Sequence, residues 1–580
     1  YDLTSLQKYI PLYNEFFKLN ETNWNSIVLE CDSPSLECIV ERNSENKYQG
    51  KFENGKTKQI FMKYAPLFDP VKFVGGKYRD LSQNDVLALP QFGTSHKIEK
   101  VDRTNNSSYV DGFFTFLSNK LKTKYNFIHG LEFYGTFTGV HKNLPLMVDD
   151  DIDYLEDNLY FFENNGILYD MCGNYGIEML NFDTRKFKVP VHKDEQRTLG
   201  DDACSIYSSI TTDTFLQGLE TSSIPENHSV FSFASYDVER NVEKSSGEIK
   251  EINEKDISMN KKSIISLDEQ ESEVESDENS VYSEVSGTSE EDEDSGMESV
   301  CDDEEEDEDE SGSELDSDED DDDEPILKLY VKNFPVNVIM MESLENTLDD
   351  YMNKNDIGVD EWCSILMQVI CTLITYQEVF DFTHNDLHTN NIMYSETSQE
   401  FIYYKVCGKT YKVPTYGKIY KIIDFGRGIY TYREKQLISD NYMKDEDAYT
   451  QYNFGSIYDS KRSLCKPNKS FDLCRLGCSM IDEFVDHIRD IDSVDHPIGK
   501  LIVEWTTDDN GKNILYAPSG RERFEGFKLY RMIAKIVHKH TPKAQLEREL
   551  FSQFEVDKNE LESVNTEHIV DIDTIINTMK

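Results

Sequence analysis

The sequence lacks paired CxxC clusters, long apolar runs and a visible signal peptide. Its 11 Cys residues stand at irregular spacings, which excludes the usual structural zinc sites and favours reduced thiols in a cytoplasmic or nuclear compartment. Cys474 and Cys478 lie four apart near Cys465, but no His or fourth ligand is close, so we interpret them as core thiols. No apolar run approaches the roughly 20 residues that cross a bilayer, and we expect no membrane partner.

Basic residues are scarce, and the acidic residues are concentrated in one segment. The chain has 59 Lys and Arg against 112 Asp and Glu, a net charge of -53. Between Glu290 and Glu324 there are 24 acidic residues and no basic one. Such a segment cannot bury enough apolar surface to offset its conformational entropy, so we predict disorder over residues 242–324. As a polyanion it should not bind nucleic acid directly. Basic proteins are its expected partners, and a solvated spacer is the alternative.

The rest of the chain is long enough for a large enzyme of two lobes. Alternating apolar residues predict strands at SIVLEC, LECIVER, IFMKY, FIHGLEFYGTF and VNVIMMESL, while KYQGKFENGKTK reads as a polar loop. Helical spacing predicts an amphipathic helix or helical turns packing on a core in the first twenty residues, and helices over Asn105–Leu121 and from Trp362 to Ile374. The order predicts an α+β fold. It has a β-rich N-lobe (1–145), a partly ordered insertion (146–241), the acidic segment (242–324), the end of the N-lobe with a hinge (325–343) and a mostly helical C-lobe (344–580).

Two motifs carry the chemistry. HNDLHTNN begins at His384, and IIDFGRG follows about thirty positions after its end. Together they set Asp386, Asn391 and Asp424 in the order that phosphoryl transfer from ATP requires. Asp386 would orient the attacking hydroxyl, while Asn391 and Asp424 would hold Mg²⁺. An HxD alone is weak evidence, and Asp386 could cap a helix. The full HxDLxxxN followed by a hydrophobic strand and DFG is specific and predicts a kinase.

Further residues of an ATP site can be placed from these motifs. Lys63 in IFMKY fits the strand lysine that contacts the nucleotide phosphates, although an exposed strand lysine is the alternative. Asp111 on the next helix is its candidate acidic partner, one methylene shorter than the usual Glu. The hinge that would present backbone groups to adenine falls on Met341, Glu342 and Ser343.

The loop that covers the phosphates is the weakest part of the pattern. Aligned on Val40, the positions of G-x-G-x-x-G-x-V fall on Ser33, Ser35, Cys38 and Val40, with no glycine among them. Pro34 removes one amide donor. The segment therefore predicts either a looser ATP cradle or a plain β-hairpin with no ligand role.

These residues resemble the eukaryotic-type protein kinase superfamily and, in detail, its haspin-like branch. The branch has Leu-His after the catalytic Asp, as in Asp386-Leu387-His388, a β-hairpin before the metal motif, here EFIYYKVCGKTYKVPTYGKIYKIIDFG, and no APE motif. Phe425 and Gly426 depart from haspin. KYAPLFDPVKF and SYVDGFF are also similar to kinases of large nucleocytoplasmic DNA viruses, which would imply a host cytoplasm or virion location. The similarity covers residues 1–145 and 325–555.

The resemblance implies several roles. It implies Ser/Thr specificity toward a protein substrate, with a basic protein among the candidates. Asp472 in SFDLCRLG resembles the helix-start Asp that accepts hydrogen bonds from the catalytic-loop backbone; a simple N-cap is the alternative. Asn385 stands where regulated kinases have Arg, so activity should not need loop phosphorylation. His388 takes the place of a phosphate-contacting Lys, or is a structural histidine.

Two rival functions stay open at this level. Antibiotic and choline kinases also carry HxDLHxxN, which would make the chain a small-molecule phosphotransferase. The forty-odd residues between Gly426 and Asp472, long enough for a peptide-binding segment, argue against it. A pseudokinase scaffold acting through the acidic insertion is favoured by the glycine-free phosphate loop and opposed by the intact Asp386, Asn391 and Asp424. The sequence leaves the oligomeric state open.

Overall fold

The computed structural model describes residues 2–29, 34–148, 151–155, 158–172, 231–232, 328–485, 491, 493–565 and 568–579. All of them belong to one compact unit made of residues 1–235 and 324–580. The fold is mixed α+β, as the sequence predicted at that level. The acidic segment 242–324 and most of the insertion 146–241 lie outside the described residues.

A large antiparallel sheet occupies the first half of the described chain. Eight strands form it in the order β1-β5-β8-β4-β3-β2-β7, with β6 pairing on β8, and the sheet is curled. Its long central strands are buried because their apolar side chains pack against the helices beside them. In chain order the strands are β1 Leu3–Gln7, β2 Leu36–Arg42, β3 Lys47–Phe52, β4 Thr57–Pro66, β5 Phe133–Met147, β6 Tyr169–Cys172, β7 Phe231–Ser232, β8 Lys328–Glu342, β9 Asn346–Thr347, β10 Ile392–Glu396, β11 Phe401–Val406, β12 Lys409–Pro414, β13 Lys418–Ile422, β14 Ile429–Tyr432, β15 Lys435–Ile438 and β16 Ile569–Asp571.

Helices dominate the second half of the described chain. In chain order the helices are α1 Pro70–Val74, α2 Gln83–Leu87, α3 Glu99–Asp102, α4 Ser107–Tyr125, α5 Ile152–Leu155, α6 Leu159–Glu163, α7 Leu348–Lys354, α8 Val359–Phe380, α9 Phe471–Cys478, α10 Pro497–Trp505, α11 Phe527–Ile536, α12 Pro542–Gln545, α13 Glu549–Ser552 and α14 Ile572–Met579. Helix α8 is the centre of this half, and nearly all of its residues are buried. Its composition would suit a membrane span, and 89% of its apolar window is buried inside the fold. The expectation that no apolar run reaches that length was therefore wrong, and the burial is that of a core helix.

Helix α4 is the long helix of the first half, and it packs on the large sheet. Its cap is Asn106, whose side chain accepts from the Ser108 N–H and donates to the carbonyl of Leu67. On strand β8, Asn337 is fully buried and donates through Nδ2 to the Ser108 carbonyl over 2.7 Å. These bonds fix the start of α4 against β4 and β8. The helix predicted over Asn105–Leu121 is confirmed.

A small antiparallel ladder brings the two sequence motifs together. Strand β10 follows HNDLHTNN, strand β13 leads into DFG, and Ile392 pairs with Ile422. The ladder continues past the strands, because the Ile423 N–H donates to the Asn391 carbonyl over 3.0 Å. The predicted hairpin between the motifs is present as β11 and β12, and β16 pairs with β11 in parallel. The ends of the two motifs are therefore neighbours across one ladder.

The first twenty residues, predicted as an amphipathic helix or as helical turns packing on a core, form β1 followed by a 3₁₀ turn at Pro11–Glu15, in which Pro11, Leu12 and Tyr13 are buried. The alternative of helical turns is therefore confirmed in part. Two other local predictions near the start of the chain were wrong. The segment read as a polar loop contains β3, in which Tyr48, Gly50 and Phe52 are buried at alternate positions. Gly50 obscured that alternation because it has no apolar side chain. In the structure the Leu36 side chain packs against the backbone at this position. SIVLEC is not a strand over its described residues, 26–29.

Seven cysteines whose side chains the structure describes are free thiols. They are Cys38, Cys363, Cys371, Cys407, Cys465, Cys474 and Cys478. Cys465 and Cys474 are buried and pack in the smaller hydrophobic cluster of the second half. Burial raises the pKa of the Cys474 thiol well above its usual value, which favours the neutral thiol over a metal-binding thiolate. This agrees with the interpretation of these residues as core thiols.

Candidate active site

The backbone of the HNDLHTNN loop is held by Asp472 at the start of α9. The Asp472 carboxylate is fully buried and accepts from the His384 N–H over 3.0 Å and from the Asn385 N–H over 2.9 Å. Burial raises the pKa of this carboxyl, and the two N–H donors oppose that shift. Asn385 has a φ of 67°, a conformation that Asn tolerates better than most residues. These are the bonds that the resemblance implied for Asp472.

His384 and Phe425 lock the DFG motif to the same loop. His384 bonds through Nε2 to the Ile423 carbonyl over 2.8 Å. Phe425 is fully buried, and its ring lies 4.6 Å from that of Phe114 on α4. Asp424, between these two anchored residues, has a φ of 61° and a side chain that is 46% exposed. The fold thus leaves the Asp424 carboxylate partly exposed at the edge of the core.

Lys63 lies between two carboxylates that come from distant parts of the chain. Its Nζ is 2.7 Å from Asp111 Oδ2 and 2.8 Å from Asp424 Oδ1. Burial disfavours the ammonium, but the two carboxylates outweigh it, and the pKa of Lys63 is raised. Burial also opposes ionisation of Asp424, yet Lys63 lowers the pKa of that carboxyl to about 2. The structure therefore joins the predicted lysine, its predicted acidic partner and the predicted metal ligand.

Asp111 is further tied to the DFG backbone. Its side chain is 3% exposed, and its Oδ1 accepts from the Phe425 N–H over 3.0 Å. Burial raises the pKa of Asp111, and the Lys63 ammonium opposes that shift. Gly112 explains how the short Asp side chain reaches Lys63. A Cβ there would lie 3.3 Å from Asn337 Nδ2 and 3.4 Å from Ile339 Cγ1, so its absence lets α4 approach β8 closely.

We expect Gly112→Ala to lengthen the contact between Asp111 and Lys63 without unfolding the chain, because the added methyl group must push α4 from β8 by a few tenths of an ångström. If Lys63 serves phosphoryl transfer, misplacement on this scale should lower kcat about 3- to 10-fold. Steady-state kinetics with Mg-ATP would measure the effect. Gly358→Ala is the matched control, because nothing lies within 4 Å of a Cβ at that position. Equal rates for both variants would contradict the role of Gly112.

The Asp386 carboxylate is oriented by residues outside its own motif. Its side chain is 23% exposed, Tyr530 donates to its Oδ1 over 2.9 Å, and Arg427 Nη1 lies 3.4 Å from its Oδ2. Asn391 donates through Nδ2 to the Asp386 carbonyl over 2.9 Å, which closes the loop on itself. The sequence did not identify Tyr530 or Arg427. Only Arg427 carried a signal, as the residue directly after DFG.

His388 orients Asn391. The Asn391 Nδ2 donates to His388 Nε2 over 3.0 Å, so this ring nitrogen acts as an acceptor. Burial lowers the pKa of His388, although the charges of Asp386 and Asp424 oppose the shift. A neutral ring that is already bonded favours the structural reading of His388 over a charged contact with phosphate. Asp386 and Asp424 are both close enough to His388 for their charges to affect its pKa.

Asp424 and Asn391, which follow each other across the β10–β13 ladder, have the chemistry of magnesium ligands. Asp424 supplies a carboxylate, and Asn391, which donates through Nδ2, keeps its amide oxygen as a ligand; Mg²⁺ prefers such oxygen ligands and completes its shell with water and substrate phosphates. Within the described part of the chain, no group of three or more His, Cys, Asp and Glu residues converges as metal ligands. The two protein ligands suit a cation that arrives with a nucleotide.

The predicted phosphate-loop residues do not gather at Lys63. Ser33 lies outside the described residues. Ser35 accepts through its carbonyl from the Glu53 N–H, at the end of β3 remote from Lys63, and Val40 is an exposed residue within β2. The loop next to the Lys63 strand is residues 43–46, since the Met62 N–H donates to the Asn46 carbonyl over 2.9 Å. The glycine pattern misled the register because this loop, Asn-Ser-Glu-Asn, contains no glycine.

The predicted hinge residues end strand β8. Met341 and Glu342 are its last two residues, and the backbone N–H groups of Glu342 and Ser343 donate to Glu132 and Gln59. The Glu342 side chain points behind the strand, with its Oε1 at 2.6 Å from the buried Lys421 Nζ. Leu344, the residue after the predicted hinge, is 6% exposed, and no hydrogen bond within the described ranges engages its N–H or its carbonyl. These backbone groups are therefore available to a ligand, and the hinge assignment stays a prediction.

Asp440 anchors the chain that follows DFG. This fully buried carboxylate accepts from the Ser107 N–H over 2.9 Å at the start of α4 and lies 3.4 Å from Arg103 Nη1 and 3.5 Å from Lys100 Nζ. In the same segment, Tyr452 donates to Asn385 Oδ1 over 2.6 Å. These contacts all use side chains of the chain itself, and whether activity needs loop phosphorylation stays a prediction.

We expect Asp440→Ala to loosen this segment and Asp440→Asn to preserve most of its order. The Ala variant leaves the Ser107 N–H without an acceptor, which costs about 1–3 kcal/mol. Burial raises the pKa of Asp440, so a neutral Asn that keeps the acceptor oxygen should be tolerated. Hydrogen exchange of residues 427–452 and thermal unfolding would measure both. Asp445→Asn is an exposed control, and equal protection in the Ala variant and wild type would contradict the anchoring role.

Comparison with known proteins adds little to this geometry. No protein-family profile matches the sequence. An uncharacterized protein of Caenorhabditis elegans, ZK177.2, is 22% identical over 107 residues, which cover 17% of this chain and 36% of that protein. The chain thus spans about a third of the length of this curated relative. The match shows no family and carries no statement about activity.

Proposed function

We propose that the chain is an ATP-dependent protein kinase with a two-lobed, kinase-like fold. The observation that carries the proposal is the position of Lys63 between Asp111 and Asp424. These residues come from a strand, a helix and a DFG motif, the three places where a kinase keeps this trio. In this reading the curled sheet with α4 is the N-lobe, the helices around α8 form the C-lobe, and β8 leads into the hinge. Membership of the haspin-like branch belongs to the same proposal.

Each residue has one task in the proposed reaction. Asp386 accepts the proton of the attacking hydroxyl, because its carboxylate is partly exposed and held in place by the loop. Lys63 places a positive charge at the phosphates, and Asp111 keeps the ammonium oriented. Asp472 fixes the backbone from which Asp386 projects. Preorganised charge of this kind is the main contribution that a protein makes to phosphoryl transfer.

ATP and Mg²⁺ are the proposed substrate and cofactor. Asp424 and Asn391 would hold Mg²⁺, which neutralises charge on the phosphate oxygens. Residues 43–46 would lie over the phosphates with fewer flexible backbone amides than a glycine-rich loop supplies. The adenine would meet the backbone of Leu344, behind Met341. A glycine-free loop should weaken ATP binding more than it slows transfer, because its task is to cradle the phosphates.

The proposed second substrate is a protein, and a Ser or Thr hydroxyl of that protein accepts the phosphate. The residues between DFG and α9 form a structured face that includes β14, β15 and part of the smaller hydrophobic cluster. A small-molecule phosphotransferase needs no such face. The intact Asp386, Asn391 and Asp424 favour an enzyme over a scaffold. Reducing intracellular compartments and basic protein partners remain expectations from the composition alone.

Transfer from γ-labelled ATP to different acceptors tests the proposal. Purified full-length chain would be incubated with Mg-ATP and a basic protein, an acidic protein, choline or an aminoglycoside, with ADP release measured in parallel. We expect label on Ser or Thr of the added protein and none on the small molecules. Label on a small molecule alone would support the phosphotransferase. Nucleotide binding without transfer to any acceptor would support the scaffold and end the kinase proposal.

A further inference from the structure

The hydroxyl of Tyr530 lies where an acceptor hydroxyl would have to lie. Tyr530 projects from α11 and donates to Asp386 Oδ1 over 2.9 Å. Asp386 is the proposed proton acceptor, and a group acting as a general base must be within hydrogen-bond reach of the proton it takes. Tyr530 meets this condition in the folded chain before any external substrate arrives. The phenol also keeps its proton, because burial and then the charge of Asp386 raise the pKa of Tyr530.

Two arginines surround the same phenol. Arg475 Nε donates to the Tyr530 hydroxyl oxygen over 3.0 Å, and its guanidinium lies 5.2 Å from the ring centroid. The guanidinium of Arg427 lies 5.7 Å from that centroid and also pairs with Asp386. Arg475 stands where the kinase helix pattern usually has Ser, so the sequence singled it out as a departure. Guanidinium groups are the side chains best suited to a phosphate on the phenol oxygen.

We propose that Tyr530 is an intramolecular phosphate acceptor, so that the chain phosphorylates its own helix α11. This rests on the proposed kinase function. The phenol oxygen forms a bond to the γ-phosphorus of ATP, and the bond from that phosphorus to the β,γ-bridging oxygen breaks. ADP leaves with the electron pair of that bond. The phenol proton passes to Asp386 and from there to solvent. The products are phosphotyrosine at position 530, ADP and a proton, and no other reactant is needed.

The product cannot keep the contact that the phenol makes. A phosphate carries close to two negative charges at neutral pH, and it would face the Asp386 carboxylate at a distance that like charges disfavour. Arg427 and Arg475 offer the nearest compensating charges. We therefore expect the modified Tyr530 to leave Asp386 and to expose the acceptor position to other substrates. Self-phosphorylation would thus precede efficient transfer to added protein.

Phosphopeptide mass spectrometry on the full-length chain tests this inference. Protein freed of phosphate by a tyrosine phosphatase would be incubated with Mg-ATP, and the fraction modified at Tyr530 would be followed with time at several protein concentrations. We expect modification of most molecules at a rate that does not depend on protein concentration. Tyr530→Phe should remove only this site, Tyr458→Phe, an exposed control, should retain it, and Asp386→Asn should abolish it.

The outcomes separate this inference from the function on which it rests. Transfer to an added protein while Tyr530 stays unmodified would overturn the inference and leave the kinase proposal standing. If the wild-type chain stays unmodified at Tyr530 and Tyr530→Phe transfers phosphate to added protein faster than wild type, the phenol only blocks the site. That result also overturns the inference. A rate that rises with protein concentration would overturn the intramolecular step. Absence of transfer to every acceptor would end both proposals.

Discussion

Asp386→Asn is expected to lower the rate of phosphoryl transfer by about 10³-fold and to leave Mg-ATP binding nearly unchanged. General-base catalysis contributes roughly 10²- to 10⁴-fold, and an amide cannot accept the hydroxyl proton. The substitution keeps the shape of the side chain, and the loop is held by Asp472 through backbone donors that the change does not touch. Single-turnover kinetics and calorimetric titration with Mg-ATP would measure transfer and binding separately.

Asp381→Asn is the matched control for this variant. Asp381 is an exposed residue in the same loop, with a φ of 48° that Asn also adopts readily. It should retain wild-type kinetics. If Asp386→Asn kept more than about a tenth of the wild-type rate, Asp386 would not be the proton acceptor. If it lost nucleotide binding as well, its role would be structural.

Asp424→Asn is expected to lower transfer by about 10³-fold and to remove the dependence of nucleotide binding on Mg²⁺. In reactions of this class a bound metal ion lowers the energy of the charged transition state by several kcal/mol. Asn supplies a neutral ligand in place of an anion. Lys63 lowers the pKa of Asp424 to about 2, so the carboxylate is charged throughout the working pH range. Binding titrations of ATP at increasing Mg²⁺ or Mn²⁺ concentrations would measure the effect.

The acid dependence of stability provides a second reading of the same side chain. Because its folded-state pKa lies below the usual 3.8, the Asp424 carboxylate contributes stability above that value, and the contribution is lost as the pH falls toward 2. The variant should therefore lose less stability than wild type over that interval. Asp445→Asn, an exposed control, should follow wild type. A variant with unchanged metal dependence would exclude Asp424 as a magnesium ligand.

The parts of the site that the sequence predicted are those whose chemistry stands in short local motifs. Asp386, Asn391 and Asp424 each stand in a short motif with characteristic neighbouring residues. Apolar strands flank these motifs, and in the structure those strands pair with each other as β10 and β13. Lys63 and Asp111 could be proposed because Lys63 stands in a segment with the apolar pattern of a strand, and Asp111 stands in the following segment with helical spacing. The loop that we propose for the phosphates, residues 43–46, could not be located in this way, because the usual signal is glycine and these residues include none.

Other parts of the site depend on contacts between residues far apart in sequence. Tyr530 lies 144 positions from Asp386, and no local pattern relates the two. The Ser343 N–H already donates to the Gln59 carbonyl, whereas no such bond in the described ranges engages Leu344. The sequence does not show which of these backbone groups is already bonded. Strand β3 was missed because its alternation passes through Gly50, whose role is to leave room for Leu36. These features are set by packing and by hydrogen-bond partners, which a sequence pattern does not contain.

The sequence by itself determined the mixed α+β class, the positions of the principal helices and the residues able to take part in phosphate chemistry, because apolar periodicity and motif spacing are local properties. The tertiary structure alone decided that Lys63 bridges Asp111 and Asp424, that Asp440 fastens the segment after DFG, and that Tyr530 reaches Asp386. The physical reason is that ion pairs and hydrogen bonds act over about 3 Å in space. Two groups can meet at that distance however far apart they are along the chain.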